Sequence, residues 1–225
     1  MLSVKSEQAV NGSQRLMPSH SIVTTAGDSK MKMTLDSELD VAPDLGSEQR
    51  QLSEQNLPSE QQAQLRQRFE QQADLMPAQL ASELGIAELE VVAALPPEQV
   101  VFVPLTQLDA LLQALPEWGK LTTIVMLSGS VFEFKGDFPE GKYAHGYYNL
   151  YSKGDGLHGH LKLDAMRGIA LISRPFRGSE SHSINFFGSE GEVVFKVYLG
   201  RDKQRALFPE QVRQFKALAT AFASV

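Results

Sequence analysis

The sequence predicts an α+β fold: helices first, then a large antiparallel sheet of about seven or more strands, then one closing helix. Three observations predict it. Phe69 is the first aromatic residue of a 225-residue chain, so the packed core starts late. The apolar period changes from 3.6 to 2 near Trp118. The period-two segments beyond it are joined by links too short for parallel crossovers. Residues 1–57 accordingly read as a disordered Ser/Gln-rich tail. Residues 58–225 read as the folded domain, with an acidic helical part at 58–117 and the sheet plus its closing helix at 118–225.

Taken in order, Pro58-Ser59-Glu60 opens a Gln-rich helical stretch in which Leu65, Phe69 and Ala73 recur every four residues. Pro77 starts a second helix that Gly85 breaks, and a third runs from about Ala87 to Leu95 before Pro96-Pro97. QVVFVPL reads as a short strand and LTQLDALLQAL as a helix. LTTIVML and SVFEFKG are strands around Ser128-Gly129, and a turn at residues 137–141 precedes a strand through HGYYNLYS. LHGHLKL, RGIALISRPF, SHSINFFG and EVVFKVYL complete the set. PEQVRQFKALATAFA is the last helix, with Val212, Phe215, Leu218, Ala219 and Phe222 on one face.

Composition removes several chemistries. The chain has no cysteine, which excludes disulfides, Cys-ligated zinc, iron–sulfur clusters and thiol nucleophiles. No apolar run approaches a membrane span and the first residues lack the apolar stretch of a secretory signal, so the expected compartment is the cytoplasm. Two short helices joined at Gly85 have a helix-turn-helix outline, but Phe69–Gly119 contains no Lys or Arg to set against phosphates. A partner-docking or packing role fits that module better than DNA. The region from Lys120 onward is net positive and carries four of the five histidines and all five tyrosines, so a small anionic ligand is drawn there.

The densest constellation is Tyr143, His145, Tyr147, Tyr148, Tyr151, His158 and His160. As strands, the pattern places Tyr143, His145 and Tyr147 on one face with Tyr148 opposed, and His158 and His160 on a shared face. Three readings are open. The face is a partly exposed sheet surface where Tyr and His are ordinary. Or it holds haem, with an axial His or Tyr, a wall from Phe132, Phe134, Phe186, Phe187, Val197 and Tyr198, and cations from Arg174, Arg177, Lys153 or Arg201 at the propionates. Or His158, His160 and Asp164 form a cupin-like facial set for a nonhaem metal enzyme. Met126 and Met166 sit in apolar contexts and read as core. No nucleophile elbow or phosphate loop is present.

Several blocks in order, EWG at Glu117–Gly119, HGYYNL at His145–Leu150, GHLK at Gly159–Lys162 and YLGRD at Tyr198–Asp202, resemble the HutX/ChuX family of bacterial cytosolic haem-utilisation carriers from about Glu60 to Ala223. The resemblance implies the ChuX/ChuS-like fold, a homodimer, and haem b accepted after import and handed to a haem-degrading enzyme. It also implies His160 as the leading haem contact and iron ligand. Some relatives carry histidine where this chain has Met126, which raises Tyr148 or Tyr147 as the alternative ligand. His145, Arg174 and Arg201 complete the expected haem-binding set. Within the same reading, the rival role is a haem-degrading enzyme.

Overall fold

The computed structural model describes residues 57–223, so the expectation for the Ser/Gln-rich tail lies outside the described residues. The helical part holds α1 (Ser59–Gln71), α2 (Pro77–Leu84) and α3 (Glu88–Ala93). Pro77 is the first residue of α2, where its missing N–H costs nothing, and Gly85 ends it at φ 66°. Strand β1 (Val100–Val103) and helix α4 (Leu108–Ala114) follow. The strands are β2 (Lys120–Leu127), β3 (Ser130–Asp137), β4 (Glu140–Ala144), β5 (Tyr147–Tyr151), β6 (Gly159–Leu161), β7 (Met166–Ser173), β8 (His182–Gly188) and β9 (Val193–Tyr198). Helix α5 spans Pro209–Ala223.

All pairings are antiparallel, as predicted, but the strands form two sheets. One has six strands in the order β1-β7-β8-β9-β2-β3, the other three in the order β4-β5-β6. The break falls at Phe138-Pro139, both buried. Proline has no N–H to donate to a ladder, and Phe138 turns into the core against Phe195.

The large sheet is the middle layer. Ala170, Ile172 and Phe187 on one face pack with Leu65, Phe69, Leu80, Val91 and Val92 of α1–α3. Ile169, Leu171, Ile184, Phe186 and Val197 on the other pack with α4, with Phe215 and Leu218 of α5, and with Tyr148 and Leu150 of the small sheet. Strict alternation along β7 (Ile169 and Leu171 against Ala170 and Ile172) serves both cores.

Two polar residues lock these layers. Arg174, just beyond β7, is buried and donates to Leu75 O (3.1 Å), Gln72 O (2.6 Å), Phe69 O (3.4 Å) and Gln99 Oε1, while stacking on the Phe69 ring. Gln211, in the first turn of α5, donates to Trp118 O and Lys120 O and accepts from Gly200 N–H. A Cβ on Gly200 would overlap the Lys120 carbonyl oxygen. The EWG and YLGRD blocks therefore meet at one junction, and glycine is needed there for close approach.

Candidate ligand face on the small sheet

The small sheet is built from local signals. His145 and Gly146 both take positive φ (54° and 78°), the conformation of a two-residue hairpin turn, with Ala144 opposite Tyr147. The expected single strand through HGYYNLYS is therefore a turn followed by β5. Tyr143 and Tyr147 lie on different strands and on opposite faces, because Tyr143 pairs with Tyr148 and cross-strand partners share a side. The pairing of the His- and Tyr-bearing strands holds, with Asn149 opposite His160.

The inner face carries Tyr143, Tyr148, Leu150 and Leu161. The Tyr148 side chain is buried, its ring lies edge-on to Tyr143 at 5.3 Å, and its hydroxyl has no hydrogen-bond partner among the described residues. Burial, reinforced by nearby Asp109, raises its pKa and disfavours the phenolate that iron would require. Tyr143 is largely exposed, but its hydroxyl donates to Asp109 of α4, and partial desolvation of the phenol there, with this acid partner, raises its pKa above the usual range.

The outer face has a different composition. Lys142, Asn149 and His160 form one cross-strand row. Tyr147 and Tyr151 flank Asn149 along β5, with the Tyr147 ring 6.0 Å from the His160 ring. Lys142 Nζ stands 5.4 Å over the Tyr151 ring and Lys162 Nζ 5.5 Å over the Tyr147 ring. His160, Tyr147, Tyr151, Lys142 and Lys162 are all exposed. Asn149 is buried beneath them and holds His160 Nδ1 at 2.5 Å through Oδ1. The face thus gathers an imidazole, two phenol rings and two ammonium groups, the donor types a flat, dianionic, iron-bearing macrocycle takes.

Other residues singled out from the sequence lie elsewhere. His145 sits exposed in the hairpin turn. His158 precedes β6, and its Nε2 faces Gly154 O at 3.3 Å. Asp164 pairs with Lys162 at 3.2 Å, and among the described residues no three His, Asp or Glu side chains cluster as a metal site, so the cupin-like facial set is not formed. Arg174 is committed to the helical module as described. Arg201 lies in the loop after β9, donating to Arg205 O (2.8 Å) and to Glu180 O. Lys153 pairs with Glu140, and Arg177 stacks on Phe176. Of the proposed wall, Phe186, Phe187 and Val197 are interior, whereas Phe132 and Phe134 are exposed on edge strand β3. His182 is buried between Ser173 Oγ (3.0 Å) and Glu180 Oε1 (2.9 Å).

Met126 lines a cleft of about 390 Å³ formed by residues 86–88, 126–129, 190, 192 and 193. Its lining includes Glu190 and Glu192, which repel an anion, while Glu88 there is neutralised by Lys196. Sequence reading passed over Asn149, Lys142 and Lys162. The alternation Lys142, Ala144 on one strand and Tyr147, Asn149, Tyr151 on the next was the available signal, once the His145-Gly146 turn is placed.

Comparison with known proteins agrees with this architecture. Residues 101–218 match the family described as haem utilisation ChuX/HutX. The chain is 50% identical over 157 residues to the intracellular heme transport protein HutX of Vibrio cholerae, covering 70% of this chain and 81% of that protein. Among solved structures, it resembles the heme binding protein ChuX (36% identity, TM-score 0.64, 70% of this chain and 97% of that one). It also resembles a protein from Erwinia carotovora (34% identity, TM-score 0.67, 70% and 98%). With more than half of its length matched in order and a relative at half identity, this chain belongs to the ChuX/HutX haem-utilisation family.

Proposed function

We propose that this protein is an intracellular haem carrier, which accepts imported haem, in the form of haem b, and passes it to a haem-degrading enzyme. The observation that carries the reading is the outer face of the small sheet. His160 and Tyr147 offer iron donors side by side, Tyr147 and Tyr151 offer rings to the macrocycle, and Lys142 and Lys162 offer charge to the propionates. A degrading enzyme needs an open iron position inside a pocket that controls water and protons. An exposed face supplies no such enclosure and suits reversible loading. Membership in a haem-utilisation family and half identity to a named heme transport protein support the same role.

The working unit in this reading is a homodimer. Among the described residues, strand β3 ends the large sheet, exposes Val131, Phe132 and Phe134, and leaves its outer ladder unpaired, a combination that soluble proteins ordinarily cover.

Titration of the purified protein with hemin tests the assignment. A Soret band saturating near one haem per subunit is expected. His160→Ala is expected to shift or weaken the band, Tyr147→Phe to change it, and Lys142→Ala with Lys162→Ala to reduce affinity without moving it. An unchanged spectrum in both His160→Ala and Tyr147→Phe overturns the site. Steady release of a linear tetrapyrrole by the protein alone overturns the carrier role.

A further inference from the structure

The Asn149 side chain is buried under the ligand face, and every polar atom of its amide is in use. Nδ2 donates toward three backbone carbonyls: Ala144 O at 3.0 Å, Tyr147 O at 3.1 Å and Lys142 O at 3.3 Å. These acceptors fix the amide. Turning it over would set Oδ1 against three carbonyl oxygens, acceptor against acceptor. Oδ1 therefore faces His160 Nδ1 at 2.5 Å, and an amide oxygen only accepts. His160 Nδ1 must carry the proton.

In a neutral imidazole, a proton on Nδ1 leaves the Nε2 lone pair bare. Histidine in water favours the other tautomer, with the proton on Nε2, and would have to rearrange before binding iron through that atom. We propose that Asn149 is a positioning residue: through its fixed amide it holds His160 in the Nδ1–H tautomer, with Nε2 presented from the outer face as the metal-binding atom. The inference rests on the haem reading of this face and adds what prepares the ligand.

The identity of the acceptor matters as well. A carboxylate in place of the amide oxygen would draw the Nδ1 proton more strongly, make Nε2 more basic and tighten the bond to iron. A neutral amide orients the ring without that added pull on the proton, which suits cargo that must leave.

The test begins on the full-length haem-free protein, by two-dimensional 1H–15N spectroscopy of the imidazole. A pyridine-type nitrogen at Nε2 and a pyrrole-type nitrogen at Nδ1 of His160 are expected, and the reverse pattern overturns the proposal. Asn149→Ala is expected to return His160 to the Nε2–H tautomer and to weaken hemin binding about 10- to 100-fold. Unchanged tautomer and affinity overturn it. Asn149→Asp keeps an acceptor toward His160 but sets its second oxygen against the carbonyls of Lys142, Ala144 and Tyr147, so it is expected to be less stable than the parent and, at temperatures where it is folded, to keep the tautomer, to raise the ferrous iron–histidine stretching frequency in resonance Raman spectra, and to slow haem transfer to apomyoglobin. Transfer as fast as in the parent, with the frequency unmoved, overturns the release argument. If Asn149→Ala fails to fold, the spectra of the parent protein still decide the tautomer. If His160→Ala leaves the Soret band unchanged, the haem assignment of His160 fails and the positioning role with it, while an Nδ1–H signal would show that the amide geometry itself was read correctly.

Discussion

Lys196 Nζ on β9 stands 2.5 Å from Glu88 Oε1 in the first turn of α3, both side chains withdrawn from solvent. Removing one partner of such a pair strands the other as a buried charge. Lys196→Ala is expected to lower unfolding free energy by about 3–5 kcal/mol, read from urea transitions. Replacing both together, Lys196→Met with Glu88→Leu, is expected to recover most of that loss. Equal losses in the single and double variants would show that the pair is not what fastens α3 to the sheet.

Arg174 provides a second check, because sequence reading gave it to the ligand and the structure gives it to the helices. Arg174→Met leaves the carbonyls of Phe69, Gln72 and Leu75 without their shared donor. A loss above about 2 kcal/mol is expected, with hemin binding unchanged at temperatures where the variant is folded. A selective fall in hemin affinity with stability intact would return Arg174 to the site.

Tyr148 and Gly141 make a matched pair on the inner face. The Tyr148 hydroxyl has no partner among the described residues, so Tyr148→Phe is expected to be neutral or stabilising by up to about 1 kcal/mol and to leave the Soret band in place. A Cβ on Gly141 would overlap the Tyr148 ring, so Gly141→Ala is expected to cost about 1–3 kcal/mol. Thermal melts of Gly141→Ala in the Tyr148→Leu background, where the ring is gone, are expected to show a smaller loss than the two single changes sum to.

Glu180 contributes a pH dependence. A hydrogen bond with His182, then attraction to His182 and Lys216, holds its carboxyl below the usual range. Between the two pKa values the unfolded chain binds more protons, so the stabilisation is whole above the ordinary carboxylate range and disappears as pH falls through the lowered value. Glu180→Gln is expected to flatten the acid limb of a stability–pH curve slightly, by lowering stability near neutrality by a small amount and leaving it unchanged at low pH; the effect is small because the carboxyl is largely exposed. An acid limb as steep as the parent's would refute this.

How much was legible depended on whether a signal was local. Pro77, Gly85 and Pro209 mark helix ends by backbone restriction alone, and each stands where the sequence placed it. The His160 strand and its pairing were readable for the same reason. What failed needed tertiary information. A histidine at positive φ is uncommon, so nothing in His145 itself announced a turn, and misplacing that turn reversed the face assigned to Tyr143. Arg174 looks like any cation until helix carbonyls some 100 positions earlier in the chain are brought to it. Asn149 lies inside the HGYYNL block, but nothing in that block by itself gives it a role. Its importance appears only once the register puts it opposite His160.

The small sheet is assembled wholly within residues 140–161, whereas the large one joins β1 to β7 and β2 to β9 across long stretches of chain. Low contact order of this kind makes β4–β6 a unit that can form early, and its opening uncovers only the part of the core under Tyr148 and Leu150 while the non-local ladder of the large sheet stays paired. Amide hydrogens of β5 and β6 are therefore expected to exchange with deuterium through sub-global opening, ahead of those in β7 and β8. Haem, by spanning the three strands, would slow that exchange, so that unloading the cargo and loosening its platform become the same event.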